Sequence, residues 1–392
     1  MNVLKNKLTF ISPIAVIAII FIFSLTLIPS ISPAPKEMPV AIVNEDQGAT
    51  LPNKTDMNMG NTIIENIRSQ AIPGQDSPIK WIEVNSFAEV QKGLNEKKYY
   101  AALMIPSDFS KNQVSLQTPE PVSPEIQIFL NQGMNPLAAN TAGQVLNGMV
   151  DGINANVRTQ LLEGFEMQGG TITTEQAALL VSPITKTVIN VNEIGTKSAN
   201  GNAPVTMFQP IWMGSIAGAA IIFMTISKTV FRNRKDKLVG VSIQVLLGAV
   251  LALIAGFGLT WLASTMLGLN IPKFGDTGLF LSLTYFTFFL MISAVLMWLG
   301  IKGIPIFVIM LFFGAPLLAM PPEFMSSFYR DWINSWLPMR HMIEGLRELF
   351  FFGKGFGWSH SVQMLTWIGL GSIVVLFGSV FKKGPKEDAA EQ

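Results

Sequence analysis

The chain has no cysteine in its 392 residues. Disulfides, thiolate metal sites and cysteine nucleophiles are therefore excluded. Histidine is nearly absent too. His341 and His360 are the two present, too few for a histidine-rich catalytic metal site. Charged residues make up 14% of the chain, against about 25% in ordinary soluble domains. The net charge of +1 gives no basic field for a nucleic-acid partner. No G-x-x-x-x-G-K-[ST] phosphate loop occurs, and Gly353-Lys354-Gly355 lacks that context. Neither an H-E-x-x-H pair nor a Ser/His/Asp arrangement is present. The expectation is a chain that is not an enzyme, holds no metal or cofactor and does not itself hydrolyse nucleotide.

What the chain has in abundance is apolar sequence, at 49% of residues. Six long runs stand out: Leu8–Ile28, Met207–Ile226, Leu238–Leu267, Leu279–Leu299, Ile304–Met320 and Val362–Phe381. Runs of about 18 or more apolar residues are long enough to cross the hydrocarbon core as helices. The expected fold class is a polytopic α-helical membrane protein. It has six transmembrane helices, one plus five, with an α/β extracytoplasmic domain inserted between helices 1 and 2. Residues 1–29 form the first helix, 30–205 the inserted domain, 206–381 the five-helix bundle and 382–392 a tail. The first run exceeds the 7–15 residues of a signal-peptide core and is read as a retained span. No Asp, Glu, His, Lys or Arg lies in the apolar centres of the runs, where ion-driven carriers place their coupling groups.

Lys and Arg near span ends set orientation. Lys5 and Lys7, the stretch Lys228–Lys237, Lys302, and Lys382, Lys383 and Lys386 all fall on one side of a six-span chain. That side is expected to be the cytoplasm, with both termini in it and residues 30–205 outside, in a multi-pass protein of the cell membrane.

Within the insert, Val40–Asn44, Ile79–Val84, Tyr99–Ile105 and Ile126–Leu130 read as strands. Asn61–Gln70 and Phe87–Leu94 read as helices, the second opened by Ser86 with Glu89 three residues on. This alternation predicts an α/β body. Asn135–Phe165 keeps a helical period over its whole length. Its bland role is to pack on that body, its sharper one to meet a second subunit. Glu175–Leu180 reads as a short helix and Ile184–Ile194 as a returning strand.

Between the last two runs, residues 322–353 predict an amphipathic or partly re-entrant segment at the outer surface. Met339, Met342, Ile343, Leu346, Leu349 and Phe350 share a face, and Arg340, Glu344, Arg347 and Glu348 lie off it. Pro338 starts that helix and Gly353 stops it. The charged positions pair at i, i+3 and i, i+4 spacing. They read as a solvated ion-paired face or as an external gate.

Three stretches carry a resemblance. Pro39 to Ala49 contains Asn44, Asp46 and Gly48, and resembles a "PVAVVNxDxGA" pattern. Gly93 to Ser110 contains Pro106 and Phe109, and is similar to a "GxxxxKYYAxxxIPxDFS" pattern. Leu337 to Arg347 is similar to an "LP…EalR" segment. With the one-plus-five layout, the chain resembles type-2 ABC transporter permeases, in their YhgE/Pip-like (phage infection protein-like) branch. The insert is shorter than the coiled-coil region common in that branch, which weighs against phage-receptor behaviour. The resemblance implies an export permease that pairs with a second copy or paralogue. A separate ABC ATPase would consume ATP and dock on Lys228, Arg232, Arg234, Lys235, Asp236 and Lys237. The cargo would be a lipid, an antibiotic or another amphipathic substrate. A non-transporting scaffold, receptor or secretion-system component, acting through the external domain, is the alternative.

Overall fold

The computed structural model describes residues 35–51, 55–70, 77–118, 120–167 and 169–382, with Ile14, Ile17, Ala18, Ile20, Phe21, Ser24 and Leu25 in helical conformation. Most of Leu8–Ile28, Lys5, Lys7 and residues 383–392 lie outside the described residues. The chain divides into two compact units, Ala34–Ile194 and Met1–Pro33 with Gly195–Gln392.

The first unit is a mixed five-stranded sheet flanked by helices. Its elements are β1 (Met38–Asn44), a small β2–β3 ladder (Ala49–Thr50 with Asp56–Met57), α1 (Met59–Gln70), β4 (Ile79–Glu83), α2 (Phe87–Asn95), β5 (Ala101–Ile105), α3 (Phe109–Ser115), β6 (Glu125–Asn131), α4 (Pro136–Met167), α5 (Thr174–Leu179) and β7 (Thr185–Val191). The strand order is β4-β1-β5-β6-β7. β1 runs parallel to β4 and β5, β6 is antiparallel to β5, and β7 is parallel to β6. Parallel neighbours need a crossover, and α1, α2 and α4 lie in those three connections.

Side chains alternate across a strand, so register sorts them into faces. Ala41, Ala102 and Phe129 share a row and pack with Val90 and Leu94 of α2. Val40, Ala101 and Leu130 form the next row on the opposite face. There Leu130 sits against Gly143 of α4. Asn44 has the same parity as Val40, and its amide meets α1 at Gly60 and Asn61. Helices α1 and α4 therefore cover one face and α2 the other.

The second unit is helical. After a turn at Ala203–Thr206 come α6 (Phe208–Ser227), α7 (Arg234–Thr265), α8 (Phe274–Leu299), α9 (Ile304–Ala319), α10 (Pro338–Phe351) and α11 (His360–Gly378). Among the described residues, four stretches are long and apolar enough to cross a membrane: Ala203–Ser227, Arg234–Thr265, Phe274–Ala319 and His360–Phe381. The third has 46 residues. As one rod it would be about 69 Å long, more than twice the roughly 30 Å hydrocarbon core. It is broken at Gly300, whose φ of 66° favours glycine, into α8 and α9.

Interhelical hydrogen bonds tie the bundle, as packing without a hydrophobic drive requires. Trp212 Nε1 donates to the Phe307 carbonyl at 3.2 Å, Tyr285 Oη to Gly214 at 3.1 Å, and Thr287 Oγ1 to Leu365 at 3.1 Å.

Connections collect at two opposite ends. At one, Asn270 N donates to the Lys197 carbonyl at 2.9 Å, and Lys273 Nζ to Gly353 at 2.7 Å. At the other, Lys382 Nζ donates to the Trp298 carbonyl at 2.8 Å, and Lys237 Nζ to the Lys382 carbonyl at 3.3 Å. The Arg234 guanidinium lies 5.9 Å from the Phe381 ring centroid. The Lys228–Lys237 stretch, Lys302 and Lys382 thus share an end.

Candidate functional site

The first two resembling stretches meet in the α/β unit. β1 and β5 are neighbours, and past their ends Glu45 N donates to the Ile105 carbonyl and Gln47 N to that of Ser107. Pro106 ends β5, and its carbonyl accepts from Phe109 N. Phe109 is fully buried. Asp46 lies buried at this junction. Its Oδ1 accepts from Gly48 N at 3.2 Å and Ser110 N at 3.0 Å. Its Oδ2 accepts from Gly60 N at 3.0 Å and from the Ser110 hydroxyl at 2.5 Å. One carboxylate thereby satisfies orphan donors in the first turns of two helices, α1 and α3. Asn58 Nδ2 donates to the Asp46 carbonyl at 2.9 Å, and Asn44 Oδ1 accepts from Asp46 N at 3.1 Å.

With four donors on two oxygens, Asp46 has little capacity left for a ligand. Asn44, Asp46 and Gly48 form an architectural lock. Sequence reading missed two of its parts. Ser110 closes the second resembling stretch but was given no role. Gly60 carried no signal at all, yet a Cβ there would lie 2.2 Å from Asn44 Oδ1.

Helix α10 departs from the solvated reading of its charged face. None of its 14 residues is exposed. It is embedded in the bundle, because Gly345 lets the Phe280 ring of α8 come within 2.2 Å of where a Cβ would stand, and Gly314 of α9 accommodates Met339. Arg340, Glu344 and Arg347 are half-buried rather than solvated, and Glu348 is buried. Arg340 Nη2 and Glu344 Oε1 are 3.4 Å apart, and Lys354 Nζ and Glu348 Oε1 3.5 Å. Pro338 is at the first helical turn, and Gly353, with φ of 63°, lies just past the end. Just before it, one π-helical turn spans Phe328–Ile333, where Tyr329 Oη donates to the Leu25 carbonyl at 2.7 Å. Trp332, Trp336 and Trp358 are exposed.

The two histidines of the chain stand together here, ring centroids 5.9 Å apart. Burial pushes the His341 imidazole below its ordinary value; Arg340 and His360 add to this and Glu344 opposes it. A lowered folded value means that the unfolded chain takes up the proton first as pH falls through about 6.5. This histidine then subtracts stability on the acid side and is neutral in effect above it. Melting temperatures at about pH 7.5 and pH 5.5 should therefore differ less in His341→Gln than in the parent protein. An equal difference would remove His341 from the acid response.

The basic connection sorts into two groups. Asn233 caps α7, its Oδ1 accepting from Asp236 N at 2.9 Å, while Asp236 Oδ2 accepts from Arg232 N at 3.2 Å. Asp236 and Lys237 are half-buried and occupied within the chain, and Arg234 lies by Phe381. Lys228, Arg232 and Lys235 are exposed. A scan for ionisable groups also passes over Gln244 of α7, fully buried inside an apolar run, because an amide carries no charge.

One segment of 124 residues is 24% identical to "Uncharacterized protein YhgE" of Bacillus subtilis (strain 168). It covers 32% of this chain and 15% of that much longer relative. No solved structure matches the chain. The pattern of the family described as a protein of unknown function (DUF3533) matches residues 11–376, and the chain belongs to that family.

Proposed function

We propose that the chain is the permease subunit of an ATP-driven type-2 exporter that moves an amphipathic molecule outward. It crosses the cell membrane six times, with Leu8–Ile28 as the first span and α8 and α9 as separate spans. The observation that carries this reading is the gathering of Lys and Arg at one end of the bundle. Cationic ends stay cytoplasmic, which sets residues 30–205 outside. The chain has no phosphate loop, so ATP is consumed by a separate ABC ATPase. That partner docks on the exposed cations Lys228, Arg232 and Lys235. Arg234, Asp236 and Lys237 hold the loop's shape. A second copy or a paralogue completes the pore. α10, with Pro338, Arg340, Glu344, Arg347 and Glu348, closes the outer end.

The test is co-purification in mild detergent with the products of neighbouring genes. A stoichiometric ATPase is expected, reduced about tenfold or more by Arg232→Glu with Lys235→Glu, while membrane insertion is unchanged. Asp236 is unsuited to this test because it caps α7. A chain that comes alone, or only with an extracellular protein, would replace the export reading with that of a scaffold or receptor.

A further inference from the structure

Helices α1 and α4 cover the same face of the sheet, yet the second half of α4 does not close against α1. Between them runs a groove of about 670 Å³, within the range of about 300–1,000 Å³ usual for small-molecule sites. Two helical stripes face it. Met59, Ile63 and Ile67 come from α1, and Met149, Ile153 and Val157 from α4. The spacing of four puts each set on one side of its helix. Polar groups border the stripes: the amides of Asn66, Asn156 and Gln160, and the carboxylate of Glu163. Among the described residues lining it, none is Lys or Arg.

Gly152 also lines the groove. A Cβ built there meets nothing within 4 Å, so no neighbour among the described residues needs the space. Glycine in a helix interior costs about 1 kcal/mol relative to alanine. A side chain at this position would project into the groove.

We propose that this groove binds a neutral or cationic amphiphile. Its apolar body lies along the Ile63–Ile67 and Ile153–Val157 stripes, and its polar head is held by the Asn66, Asn156 and Gln160 amides. An anionic head would meet Glu163, with no Lys or Arg among the described lining residues to offset it. That such an amphiphile is the exported molecule rests on the export reading; the binding itself does not.

The test uses the full chain in phosphatidylcholine nanodiscs, without any ATPase. A diazirine-bearing monoacylglycerol is the neutral probe and the matching diazirine fatty acid the anionic one. After irradiation, labelled peptides are mapped by mass spectrometry. The neutral probe should label residues 59–67 and 149–163 and be displaced by unlabelled monoacylglycerol. The fatty acid should label them about tenfold less. Gly152→Phe fills the groove and should cut labelling about tenfold, with a melting temperature no lower than that of the parent. Gly148→Phe, one turn away and equally open but outside the lining, should leave it unchanged. Equal labelling by both probes, labelling confined to the membrane helices, or no effect of Gly152→Phe would overturn the proposal. So would cross-links between two copies through residues 149–163, which would make the groove a protein contact. Labelling of the groove in a chain that captures no ATPase would sustain this site while removing the export reading.

Discussion

Asp46→Ala will lower the melting temperature of the α/β unit by about 10 °C or more, read by protease resistance of the intact protein on heating. Four hydrogen bonds end on this carboxylate, from Gly48 N, Gly60 N, Ser110 N and the Ser110 hydroxyl. Each buried donor left without an acceptor costs about 1–3 kcal/mol. The losses are not additive, because the loops relax, and about 3–5 kcal/mol is expected in sum. Asp46→Asn will cost less. Its carbonyl can still serve Gly48 and Ser110, and its amide can donate to the Ser110 oxygen. Gly60 N then faces a donor, and the Ser110 hydroxyl proton loses its acceptor. An alanine variant as stable as the parent would show that the junction is held by other contacts.

Gly256→Leu will dismantle the bundle, while Gly258→Leu, two residues away, will not. A Cβ at Gly256 would lie 2.5 Å from Ser282 N and 2.6 Å from the Gly278 carbonyl. These are backbone atoms of α8, so no side-chain rotation relieves the clash. Overpacking of this kind costs about 1–3 kcal/mol and more where the backbone cannot yield. At Gly258 a Cβ meets nothing. The monodisperse fraction after heating in detergent should fall sharply for the first variant and stay at the parent level for the second. Equal behaviour would mean that α7 and α8 are not packed as described.

That pair also shows where sequence stops being informative. Gly248, Gly256 and Gly258 look alike in an apolar run, and only the partner helix distinguishes them. Local signals fared better. Ser86 caps α2 by accepting from Glu89 N, as the S-x-x-E spacing predicts. The helical period of Asn135–Phe165 matches α4, alternation located β4 and β7, and a short apolar run located β1. Two elements escaped: α3, seven residues long, and the β2–β3 ladder, with two residues a strand, while the six-residue α5 was legible. The charged positions of α10, by their i, i+4 spacing, left a solvated ion-paired face and an external gate both open. Their half-burial comes from Gly345 and Gly314, whose role depends on Phe280 and Met339, residues remote in sequence. Strand order, too, is a long-range property, and with it the meeting of Asp46, Gly60 and Ser110.

The strand order carries a consequence for how the α/β unit is made. β1, the first strand in the chain, sits inside the sheet. β4 then joins one of its sides and β5 the other, β6 joins β5, and β7 joins β6. Every strand that arrives finds an edge already waiting, and none has to be wedged between two that have paired. A chain made from its N-terminal side can therefore build this sheet in the order in which it emerges, without holding long unpaired segments open.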